Sequence, residues 1–146
     1  MDEVEVTFHP GTYDEYFKPL EISHPGFIDV LLEDFKRYQQ SMRDDLPDYF
    51  GFDAPYGSPP EIAECIEHIH LCIPPRAFPK RTKQFKRLCK KGDPVNDIAF
   101  VYCRGRIDFH KFCIIGILMP DAHVRQNSNA LMLKLGRLGR IFRNEN

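Results

Sequence analysis

From Phe112 to Met119 every residue is apolar except Gly116. A strand with one wet face alternates apolar and polar side chains, and this stretch does not alternate. It therefore reads as a central strand covered on both faces. Extended to Pro120 the run is nine residues, far short of the roughly 20 a membrane-spanning helix needs. Ile98 to Cys103 reads as a neighbouring strand. Arg104 to Lys111, with Gly105 inside, is the hairpin connection between the two. Cys65 to Ile73 reads as a third strand, stopped by Pro74 and Pro75. Successive side chains alternate, so Ile69, Leu71 and Ile73 share one face and His68, His70 and Cys72 the other.

Two helices accompany these strands. Phe27, Val30, Leu31, Phe35 and Tyr38 fall on one face of a helix spanning Gly26 to Met42, ended by Arg43-Asp44-Asp45 and Pro47. Asn127 or Ser128 caps a final helix, with Leu131, Leu135, Leu138 and Phe142 on its apolar face. Lys134, Arg137, Arg140 and Arg143 fill the rest of its circumference. Residues 46–60 read as an ordered loop with aromatic anchors. Residues 1–25 read as an N-terminal extension whose Val4, Val6 and Phe8 form a possible edge strand, and residues 26–146 as one domain. The expected class is α+β, a small antiparallel sheet packed against helices gathered on one side. At 146 residues and 42% hydrophobic, the chain is neither disordered nor in need of covalent staples. Five cysteines without a C-x-x-C pair, and an acidic start (Asp2, Glu3, Glu5) without a signal-peptide pattern, point to a reducing, cytoplasmic location.

The net charge of −1 conceals an asymmetry. Residues 1–73 carry 4 Lys/Arg against 16 Asp/Glu, a net of −12, and residues 74–146 carry 16 against 5, a net of +11. Either the basic half meets a polyanion, nucleic acid above all, or the two halves interleave their charges on one surface. Arg76 to Lys91 holds eight Lys/Arg and no acid. It reads as a short basic helix, with Phe78, Phe85, Leu88 and Cys89 as its buried stripe, or equally as an irregular basic loop. Lys80, Arg81, Lys83, Lys86 and Arg87 are its candidate phosphate contacts, with Phe78 and Phe85 either base platforms or core.

Glu67-His68-Ile69-His70 is the leading chemical constellation. Two imidazoles on one strand face stand about 6–7 Å apart and exchange protons near neutral pH. A metal reading needs His123 or Cys72 as a third ligand, and no recognised ligand spacing supports it. Tyr102 and Arg104 share a face at a strand end, where a guanidinium suits phosphate. His123 and Arg125 precede the last helix, near Lys134 and Arg137. Nucleophile-elbow, P-loop and zinc-protease motifs are absent from the sequence.

The residues Leu46-Pro47-Asp48-Tyr49-Phe50-Gly51, Asp53-Ala54, Tyr56, His68-Ile69-His70-Leu71, Phe78-Pro79, Gln84-Phe85 and Asn96-Asp97 form the first part of a collinear set. It continues with Val101-Tyr102-Cys103, Gly105, Ile117-Leu118, Pro120, His123, Asn129, Met132, Lys134, Gly136 and Phe142-Arg143. The set resembles the YafO family, toxins of bacterial type II toxin–antitoxin modules, from about Leu32 to Arg143. The resemblance implies a RelE-like fold and a ribosome-dependent mRNA endoribonuclease. It also implies a cognate antitoxin, YafN-like and of the Phd/YefM type, that holds the toxin inactive. His68, His70, Tyr102, His123 and Lys134 match the family pattern; Arg104 and the density of the 76–91 basic run do not.

The expected reaction needs no cofactor and no metal: a ribose 2′-OH attacks the adjacent phosphate. His68 or His70 would be the base, kept neutral by nearby cations, and His123 or Tyr102 the acid. Lys134, Arg137 and Arg104 would hold phosphate oxygens, with Arg125 and Arg140 as further RNA contacts. Two other classes share the same basic half: a non-catalytic ribosome- or RNA-binding inhibitor of translation, and a DNA-binding regulator. Gly136 and Gly139 in the last helix argue against the second.

Overall fold

The apolar run forms a strand, β5 (Lys111–Leu118), in the computed structural model, which describes residues 2–146. β5 pairs antiparallel with β4 (Ala99–Arg104) and, on its other edge, parallel with β1 (Glu5–Phe8). β4 pairs antiparallel with β3 (Glu67–Leu71), and β3 with β2 (Phe50–Pro55). The sheet order is β1-β5-β4-β3-β2. The fold is α+β, but the sheet is mixed rather than purely antiparallel. No hairpin ties β1 to β5, so sequential connections do not dictate its direction. β2 lies inside the stretch expected to be a loop. Its register shifts between Phe50 and Asp53 and it ends on Pro55, features an edge strand tolerates and a sequence pattern hides.

Helices cover both faces, which corrects the expectation that they gather on one. α3 (Phe27–Gln40) lies on one face. Its Phe35 sits among Phe100, Tyr102 and Phe112, with ring centroids 4.9–5.7 Å away. α5 (Asn129–Glu145) covers the other, through Met132 and Leu135 packed with Val101, Cys113 and Ile115. A central strand apolar on both alternations requires two covers. Ser128 caps α5, its Oγ accepting the Leu131 N–H at 3.3 Å. Gly136 and Gly139 let α5 approach the segment before β3 closely. A Cβ at Gly139 would lie 2.6 Å from the Cys65 carbonyl oxygen, and one at Gly136 would overlap Ile62.

Residues 2–25 are built into this core. Besides β1 they supply the short helices α1 (Tyr13–Tyr16) and α2 (Lys18–Ser23), and Val4, Phe17 and Leu20 are buried. Thr12 Oγ1 donates to the Ile115 carbonyl. The acidic and basic halves of the chain interdigitate in one sheet and meet in ion pairs, among them Lys134–Glu15 at 3.0 Å.

The basic segment is an irregular loop with one short 3-10 turn at Gln84–Lys86. Phe85 and Leu88 are 59% and 55% exposed, so no buried helical stripe exists. Arg87 is buried and fastens the loop to β2. Its Nε donates to the Thr82 carbonyl (2.9 Å) and its Nη1 to the carbonyls of Phe50 (3.0 Å) and Pro47 (3.2 Å). The Phe52 N–H returns a bond to the Arg87 carbonyl at 2.9 Å, so the loop closes an edge that would otherwise stay open. Among the described residues no helix is long and apolar enough to cross a membrane.

Candidate active site

β3 carries His68 and His70 two residues apart on the α5 side, opposite Val101 and Ala99 of β4, while Ile69 and Leu71 point into the α3 side. A cavity of about 480 Å³ opens over these imidazoles. Its walls include Tyr56 and Ser58 after β2, Leu88 of the basic loop, and His123, Gln126, Asn127 and Asn129. His123 lies on α4 (Ala122–Arg125) and Asn129 opens α5. The ring centroids of His70 are 5.6 Å from His68 and 5.7 Å from His123. Tyr56 stacks on His68 at 3.8 Å.

Each imidazole has a different wiring. Asp97, just before β4, is 1% exposed. Its carboxylate meets His123 Nδ1 at 2.8 and 2.9 Å and accepts the His123 backbone N–H at 3.0 Å. The Ala122 N–H bonds the Asp97 carbonyl at 2.9 Å, which locks α4 onto the same residue. A carboxylate only accepts, so the pairing puts the proton on Nδ1 and leaves the Nε2 lone pair for other work. His70 is the converse. The Cys89 N–H donates to His70 Nδ1 at 2.9 Å, which places the His70 proton on Nε2. His68 Nδ1 and the Tyr56 hydroxyl are buried without a hydrogen-bond partner.

Burial pushes His68 down to about 3, aided by the nearby His70. Burial likewise pushes His70 down to about 4, with His123 adding to the shift and Asp97 opposing it. Both imidazoles are neutral at pH 7, but desolvation does this rather than cations, because no Lys or Arg lines the cavity. Groups so far below neutrality are weak proton acceptors. The neutral-donor role fits His70, and the proton-accepting role fits His123.

Other expected site residues fall elsewhere. Tyr102 is on the opposite side of the sheet, fully buried against Phe35, with its hydroxyl donating to Asp53 Oδ1 at 2.7 Å. Burial raises it well above its ordinary value, so it is no proton donor to the histidine cavity. Alternation along β4 separates it from the histidines. Lys134 is on the exposed side of α5, paired with Glu15 and outside the cavity wall. Arg104 stacks over Phe109 and Phe112 and donates from Nε to the Phe109 carbonyl at 2.5 Å. Arg87 is a structural clamp rather than a free cation. Arg125 is exposed, two residues after His123, and bonds the Pro120 carbonyl at 2.6 Å. Lys80, Arg81, Lys83 and Lys86 are exposed on the basic loop; Arg137 and Arg140 are exposed on α5. Among the described residues no group of three or more His, Cys, Asp or Glu side chains is placed to hold a metal ion.

Sequence reasoning missed Asp97, Tyr56 and the amide wall of Gln126, Asn127 and Asn129. Asp97 and Tyr56 stand in the collinear set, the one signal that pointed to them; nothing local marks Asp97 as the partner of a histidine 26 residues on.

Residues 35–144 match the family described as Toxin YafO, type II toxin-antitoxin system. The chain is also 37% identical over 121 residues to a protein of Escherichia coli (strain K12) named mRNA interferase toxin YafO, covering 80% of this chain and 85% of that protein. No solved structure matches the chain.

Proposed function

The chain belongs to the YafO family of toxins from type II toxin–antitoxin systems, and from that premise we propose that it is an mRNA interferase, an endoribonuclease that arrests translation in the cytoplasm. The Asp97–His123 pair at the cavity carries this reading. His123 Nε2 removes the proton of a ribose 2′-OH. The 2′-oxygen attacks the adjacent phosphorus, the bond to the 5′-oxygen breaks, and a 2′,3′-cyclic phosphate and a 5′-hydroxyl result. Asp97 holds the imidazole in the required tautomer and stabilises the imidazolium that forms, as the carboxylate of a hydrolase triad does. His70 Nε2–H donates to a phosphate oxygen, helped by the side-chain amides of Asn127 and Asn129 and by the positive end of α5. The 5′-oxygen takes its proton from water, since His68 and His70 stay neutral and Tyr102 is across the sheet.

A cavity without Lys or Arg on its walls grips a free strand weakly. A ribosome that bends the message would supply the in-line geometry, and this reading therefore expects cutting to depend on ribosomes. The family implies an antitoxin partner, and we propose a YafN-like one of the Phd/YefM type.

Primer extension on a reporter mRNA, with and without ribosomes, tests the proposal. Wild type should cut within coding sequence when ribosomes are present, and His123→Ala should not. Unchanged cutting by His123→Ala removes the site. Growth arrest without any cut favours the non-catalytic inhibitor of translation.

A further inference from the structure

Three guanidiniums converge at the far end of α5. Arg140 and Arg143 from α5 and Arg106 from the β4–β5 turn line a second pocket of about 290 Å³, with Asn144 and Glu64 on its walls. Among the described residues none of the three is within salt-bridge distance of a carboxylate. Each is spent on one neutral partner: Arg106 on the Asn144 side-chain oxygen (3.3 Å), Arg140 on the Glu61 carbonyl, Arg143 on the Arg104 carbonyl (2.9 Å). A guanidinium has five N–H donors, so most of each fork stays unused. Three cations against the one carboxylate of Glu64 leave the hollow with an excess of positive charge that an entering anion relieves.

This pocket is not isolated from the histidine cavity. A hollow of about 300 Å³ between them shares Pro55 with the cavity, and Glu64, Cys65 and Arg143 with the arginine pocket. The three hollows adjoin one another through these shared walls. Asn129 at one end and Arg140 at the other are eleven residues apart on the helix, about 16 Å of rise. The middle carries Glu67, and Glu64 stands on the border it shares with the arginine pocket, so the stretch between the two ends disfavours phosphate. A strand laid across these hollows places phosphates at the two ends and sugar or base edges between, where carboxylates accept from base amino groups.

We propose that the Arg106–Arg140–Arg143 pocket is an anchoring site for a backbone phosphate of the RNA, a few nucleotides from the bond that is cut. This deepens the reading of the chain as an mRNA interferase and rests on it. The guanidinium fork matches a phosphate in two parallel hydrogen bonds, so the site positions the strand rather than reading its bases. Adjacency to the histidine cavity through the shared hollow favours RNA over an acidic peptide, which has no reason to extend toward a cavity of imidazoles.

The probe is a fluorescent 2′-O-methyl oligoribonucleotide, which binds like RNA but has no 2′-OH to attack. Its affinity for the full chain is measured by anisotropy across a salt series, with Arg106→Ala and Arg140→Ala. Both residues are exposed and free of ion pairs, so the fold should survive, as a thermal melt verifies. Each variant should bind about tenfold more weakly. The slope of log affinity against log salt should become shallower by about 0.7 for one lost phosphate contact. With cleavable message on ribosomes, KM should rise while kcat is unchanged. His123→Ala should bind the probe like wild type while failing to cut, so loss of the catalytic reading and loss of the anchoring site have different signatures. Wild-type affinity and salt slope in both arginine variants overturn the proposal. Unchanged probe binding with weakened antitoxin binding assigns the pocket to an acidic peptide instead.

Discussion

Asp97 is the residue on which the candidate site turns. Both carboxylate oxygens face His123, and a buried carboxylate has no other compensation there. Asp97→Asn keeps the volume and keeps an acceptor for the His123 backbone N–H. Its amide hydrogens, however, favour the tautomer with the proton on Nε2, which cannot act as a base. Cleavage measured by primer extension should fall by about 10²–10⁴, the size of an acid–base contribution. His68 and His70 give a second prediction, in stability. Their folded-state values of about 3 and about 4 lie below the ordinary 6.5, so the unfolded chain binds more protons as pH falls. Stability is fully present above pH 6.5 and is lost as the pH drops toward 4, by about 2 kcal/mol per histidine at pH 5. Urea midpoints at pH 7 and pH 5 should show this loss, and His68→Phe should reduce it. The same-face spacing of these two residues was legible in the strand pattern. Their burial was not, because it depends on distant segments, such as Tyr56 after β2, which stacks on His68.

At the scale of elements, α5 and the basic loop carry opposite lessons. Gly136 and Gly139 read as weaknesses in a helix, yet they face Ile62 and the Cys65 carbonyl at distances no side chain fits. Gly136→Ala gains about 1 kcal/mol of helix propensity and loses about 1–3 kcal/mol to overpacking. The melting temperature should therefore fall. Propensity is a local quantity, and the close approach is not. In the basic loop, eight cations read as one surface, but Arg87 is an internal strut whose donors satisfy three backbone carbonyls. Arg87→Ala should cost about 3 kcal/mol in denaturant unfolding, since it strands buried acceptors. The loss should be indifferent to salt, whereas an RNA-facing cation would show the salt dependence of a phosphate contact. A charge count cannot tell strut from contact.

Across the whole molecule, residues 2–25 close one edge of the sheet and bury Val4, Phe17 and Leu20 in the core under α3. Deleting them should expose the Lys111–Ile114 half of the β5 edge and abolish cooperative thermal unfolding; a truncated chain that still melts sharply would show that β1 is dispensable. The strands β3, β4 and β5, the two long helices and a cap at Asn127 or Ser128 were readable in advance, because apolar period, proline stops and capping are set by neighbours in the chain; the structure selects Ser128. The mixed direction of the sheet, the second helical cover and β2 were decided by partners far away. The same division runs through the chemistry. Which residue types are available, and through the collinear set of motifs which family they belong to, can be read along the chain. Only the tertiary structure decided that His123 joins His68 and His70 while Tyr102 does not. In a strand, one step along the chain exchanges one face of the sheet for the other, so membership of a cavity depends on how distant strands are registered and covered, and no local pattern encodes that.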